Sequence, residues 1–303
     1  VENASFVPWL ILVAGLHTSL IYKATGQSLR ATYLFYLLTF IFVLYSTFLT
    51  RTGILGDASV HAFTDAGKAI NIMILLLFIV FTTASIGLFI FRYRQIPAVR
   101  QEEETSAREF WMFTGSMILI MTAFFIIIIT SIPVYNKFPG LRQLILAIHK
   151  APLELPQDPE FLYNKVMALV AFLLGGITGF SQFLKYKKTK NLKPAGLSFL
   201  IALLVSISIF YFYPIAFIKH GSGFLITLYA AFFSMIYSVI ANVQVVFSGF
   251  KFRPKMAGSA LAHIGFAIMI IGIIISSGNK KVISDSNVNH INIPMGKDPM
   301  TKK

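Results

Sequence analysis

Residues 70–91 read INIMILLLFIVFTTASIGLFIF, 22 positions without a charged side chain. At a rise of 1.5 Å per residue this run makes a helix of about 33 Å, enough to cross the hydrocarbon core of a bilayer. A helix that is apolar all round must be buried in protein or in lipid. The stretch predicts a transmembrane helix, and the pattern recurs on both sides of it. Apolar runs cover 6–22, 31–49, 70–91, 110–132, 161–183, 197–217, 224–247 and 257–277. Hydrophobic residues make up 56% of the 303, above the share usual in a soluble domain, and no stretch is left that could build a soluble core. The expectation is an all-α polytopic membrane protein with about eight transmembrane helices. Residues 1–277 form its helical domain, with outward loops at 50–69 and 133–160. Residues 278–303 open a further outward-facing segment, and the chain reads as a fragment cut at both ends. Ser5 is expected to cap the first helix, with Pro8 in its first turn.

Charge sets the orientation. The chain carries 26 Lys and Arg against 12 Asp and Glu. In a membrane protein that excess reports topology rather than nucleic-acid binding. The loops after the first, third, fifth and seventh runs hold 14 Lys and Arg; the loops after the second, fourth and sixth hold 6. The positive-inside rule puts the richer set in the cytoplasm and both termini outside. Trp9 and Trp111 then fall in opposite interfacial belts. In GLRQLILAIHK (140–150), Leu141, Leu144, Ile145 and Ile148 share one helical face, as in a helix lying on a membrane surface. The absence of cysteine excludes CxxC redox chemistry and thiolate ligation in this chain. The run interiors hold no Asp or Glu, unlike a typical ion-coupled transporter.

Two histidines break this apolar background. His17 lies about six residues above the cytoplasmic edge of the first run, and His263 about six above the same edge of the last. Both therefore lie roughly 9 Å into the membrane. An ionisable residue there is a functional candidate, and two imidazoles at one level suit one haem iron held from both sides. Each is also compatible with a hydrogen bond between helices. Span eight is rich in small residues, which allow close helix approach or leave room for a flat cofactor. His61 sits in the outward loop TRTGILGDASVHAFTDAGKA (50–69) with Arg51. It could ligate iron at the membrane surface, with Arg51 pairing a propionate, or be a solvated loop residue. His149, His220 and His290 carry no comparable signal.

A family likeness rests on ordered motifs through most of the chain. They are VENASFVPWL (1–10), LHTS (16–19), FLTRTGIL (48–55), SVHAF (59–63), AREFW (107–111) and GSALAHIGFAIMIIGI (258–273). In this order they resemble the CcmF family of cytochrome c-type biogenesis proteins, haem lyase core subunits whose tryptophan-rich WWD segment would end at the first of them. The resemblance implies a b-type haem in the membrane with His17 and His263 as axial ligands. It makes His61 one of two outward histidines for the haem to be attached, and places Glu2, Asn3 and Ser5 at the end of the docking surface. It implies work with the haem chaperone CcmE, with CcmH and CcmI subunits and with apocytochrome c, at the periplasmic face of a bacterial inner membrane. The resident haem would reduce the incoming iron. The WWD tryptophans, the second outward histidine, a larger outward domain and a last span would lie outside this stretch, so the fragment alone would be inactive as a lyase. The competing functions are a haem transporter or exporter and a haem-bearing quinol oxidoreductase.

Overall fold

Ten helices follow one another among the described residues of the computed structural model, which are 2–55, 67–99, 104–186, 192–214, 221–249 and 257–278. They are α1 (Glu2–Thr25), α2 (Leu29–Arg51), α3 (Lys68–Arg92), α4 (Arg108–Thr130), α5 (Ile132–Lys137), α6 (Pro139–His149), α7 (Pro159–Ser181), α8 (Lys193–Phe212), α9 (Ser222–Gln244) and α10 (Gly258–Gly278). Eight are long and apolar enough to cross a membrane: all but α5 and α6. No strand occurs among the described residues. The protein is an all-α, multi-pass membrane protein. Backbone polar groups in lipid must be satisfied within the segment, which leaves the helix as the form for such runs.

The spans gather into two packed groups. In the first, α1 lies against both α2 and α4. Its core holds Val7, Leu10, Ile11 and Ala14 of α1, Phe35 and Leu49 of α2, and Leu119, Ala123 and Ile126 of α4. In the second, α9 is central, with α7, α8 and α10 around it. Its core holds Ala168 and Ala171 of α7, Ala202 of α8, Phe232 and Met235 of α9, and Ala267 and Ile274 of α10. Packing of α4 on α7 joins the groups. The outermost helix, α3, leans on α2 and buries none of its residues.

The tightest seam runs between α7 and α9. A Cβ at Gly175 would stand 2.8 Å from the Ser234 carbonyl carbon and 2.6 Å from its Oγ, so only glycine allows this approach. Along the seam, Thr178 Oγ1 and Ser238 Oγ share a hydrogen bond of 2.8 Å. Small residues and hydroxyls carry helix association in a membrane because lipid is as apolar as a leucine side chain.

Two expectations change. The first helix begins at Glu2, so Ser5 lies inside it rather than at its cap, and Pro8 is internal. Asn3 Nδ2 donates to Thr130 Oγ1 at 3.3 Å, which ties the added turn to the end of α4. Glu109, one residue before its apolar run, lies in the first turn of α4 and is 4% exposed. Negative charge there is favoured by the helix dipole. The expected helix over this segment is present as α6, with Leu141, Leu144 and Ile148 exposed on it.

Candidate functional site

His17 lies about two turns before the end of α1, and His263 in the second turn of α10. Those helices belong to different groups: α1 packs on α2 and α4, whereas α10 packs on α9 and touches α7 lightly. Across that divide the two imidazoles meet. Their ring centres are 6.3 Å apart and their planes 25° from parallel. Both rings are half-buried. One turn further along α10, Phe266 packs against both cores.

Metal–imidazole bonds are about 2 Å long, so two imidazoles on opposite faces of one iron hold their ring centres about 6 Å apart. The observed separation fits that spacing. Neutral nitrogen donors with no carboxylate beside them suit a haem iron, which brings four nitrogens of its own. Among the described residues no group of three or more His, Asp, Glu or Cys forms a cluster for a bare metal ion. Of the small residues of α10, Ala260 and Ala267 are fully buried, Ala267 in the α9 core, whereas Gly258, Ser259, Ala262 and Gly265 are exposed.

Hydrogen bonds fix the protons on the rings. His17 Nδ1 lies 2.8 Å from the Val13 carbonyl oxygen, which can only accept. The Nδ1 of His17 therefore carries the proton and its Nε2 the lone pair. His263 differs. Its Nδ1 is 2.8 Å from Gln182 Nε2, an amide nitrogen that can only donate. Gln182 caps the end of α7 and is 7% exposed. Its other amide atom, Oε1, accepts from Arg108 Nη2 at 3.1 Å. Arg108 is the first residue of α4; its backbone N–H donates to the Lys185 carbonyl, and its guanidinium lies 5.7 Å from the Tyr186 ring centre. Its Nε is buried without a hydrogen-bond partner. The chain Arg108–Gln182–His263 thus links the end of α7 and the starts of α4 and α10.

Arg108 and Gln182 carry no signal of their own in the sequence. Each stands at the edge of an apolar run, where a polar residue ordinarily meets the interface, although Arg108 does belong to the AREFW motif. The other candidates lie elsewhere. Arg51 ends α2 and is exposed. His149 ends α6 and is exposed. His61, His220 and His290 lie outside the described residues.

The fold and this cluster define a class: a helical multi-pass membrane protein with a histidine pair clasped between two helix groups. Along most of its length the chain is similar to cytochrome c-type biogenesis proteins of the CcmF and CycK kind. It is 26% identical over 293 residues to CcmF of Pseudomonas fluorescens, covering 92% of this chain and 40% of that protein. It is 29% identical over 294 residues to CycK of Rhizobium meliloti, covering 90% and 40%. CcmF of Haemophilus influenzae is 33% identical over 177 residues, 58% of this chain and 25% of that protein. The chain therefore spans about 40% of the length of the curated relatives it matches along most of its own length. No family model matches it, and no solved structure does.

Proposed function

We propose that the chain serves cytochrome c maturation as the part of a haem lyase core that holds a b-type haem in the membrane, with His17 and His263 as its axial ligands. One observation carries the reading: two imidazoles from opposite ends of the sequence meet with ring centres 6.3 Å apart, at the separation an axial pair requires. The relatives' names, cytochrome c-type biogenesis proteins, supply the process. A haem with two imidazole ligands supplies one-electron transfer. The residues supply the rest. His17 presents an Nε2 lone pair because Val13 holds its Nδ1 proton. Phe266, one turn beyond His263, packs against both cores.

The proposed whole works at the periplasmic face of a bacterial inner membrane. There His61 ligates the haem to be attached and Arg51, at the outer end of α2, pairs a propionate. Incoming haem arrives from CcmE and is joined to the CxxCH thiols of apocytochrome c with CcmH and CcmI subunits. The optical spectrum of the purified protein tests the resident site. A low-spin b-type spectrum is expected, and His17→Ala and His263→Ala should each abolish it. If both variants keep that spectrum unchanged, the ligand assignment is wrong.

A further inference from the structure

The two rings are not in equivalent states, and the difference lies with Gln182. An imidazole that binds iron through Nε2 must carry its proton on Nδ1, and that proton needs an acceptor. His17 already has this arrangement, with the Val13 carbonyl as acceptor. At His263 the arrangement is reversed. Gln182 offers Nδ1 a donor, and it does so because Arg108 occupies the amide oxygen. Gln182 is almost wholly buried, so water does not replace either partner at low cost.

Resting on the axial-pair reading, we propose that Gln182 is a positioning residue for His263 and that its amide orientation decides whether His263 can bind iron. With Oε1 on Arg108, the proton of His263 sits on Nε2, the nitrogen that faces a metal in the usual mode. Turning the amide by half a rotation puts Oε1 on Nδ1–H and frees the Nε2 lone pair. The same turn takes the acceptor away from Arg108 and sets two amide N–H groups toward its guanidinium. Two donors then face each other, and Arg108 needs a new acceptor. Its Nε is already unpartnered. An anionic oxygen, such as a carboxylate on the edge of the bound ring, meets that need. Ligation at His263 and release of Arg108 are thereby one event, confined to three side chains at three helix ends.

Gln182→Glu and Gln182→Leu test this in the full chain, purified with its haem. The readouts are the haem midpoint potential and the haem retained per protein. Glu gives Nδ1–H a charged acceptor, makes the imidazole a stronger donor to iron and lowers the potential. Leu removes the acceptor, raises the potential and costs roughly tenfold or more in haem affinity. The order Glu below wild type below Leu supports the proposal; should one variant fail to fold, the other is judged against wild type alone. Equal potentials with haem retained throughout overturn the role of Gln182 and leave the axial pair standing. Equal loss of haem from both folded variants also overturns it, because a merely structural role does that. Wild-type protein without low-spin haem overturns the axial-pair reading itself, and this proposal with it.

Discussion

A single histidine in an apolar run says little, since a hydrogen bond across helices explains it as well as a ligand does. The pair was legible because two separate runs, read with the charge bias of the loops, placed His17 and His263 at one depth. Their facing directions were not legible, for depth follows from chain length whereas azimuth follows from packing. Gln182 and Arg108 were hidden for the same reason: only the joining of α4 to α7 brings them to His263. Elsewhere single polar contacts are open to direct measurement. Tyr45 Oη and Ser131 Oγ share a 2.6 Å hydrogen bond, and Ser131 is 1% exposed. Tyr45→Phe leaves that hydroxyl without its cross-helix partner and should cost about 0.5–2 kcal/mol in detergent unfolding. Tyr33→Phe, at a ring 55% exposed, should cost nothing measurable.

Among elements, the existence of the eight spans followed from apolar length alone. Their ends did not, because tertiary ties extend them. The Asn3–Thr130 contact carries α1 back past its expected cap, and the packed start of α4 takes in Glu109. The α7–α9 seam shows how a glycine gains meaning only from its neighbour. Gly175→Ala drives a methyl against the Ser234 backbone and should destabilise the protein by about 1–3 kcal/mol. Gly176→Ala, next to it, meets nothing within 4 Å. It should leave the unfolding temperature unchanged or raise it, since alanine favours a helix over glycine by about 1 kcal/mol. Comparable losses in both variants would mean that the seam is not where the helices touch.

For the molecule as a whole, the charge bias of the loops predicts the orientation, and the paired histidine rings span its two helix groups. These 303 residues contain no cysteine, so a single cysteine placed in this chain reports topology without background from it. Gln157→Cys, on the loop between α6 and α7, should react with an impermeant thiol reagent from the outer face. Ala98→Cys, after α3, should react only once the membrane is opened. The reverse pattern would invert the assigned sides and move the histidine pair to the outer leaflet. The axial pair itself is tested most directly by electron paramagnetic resonance of the ferric protein. Two imidazoles held within 25° of parallel on one iron should give a rhombic low-spin signal. A high-spin signal, or no haem signal at all, would contradict the clasp between α1 and α10.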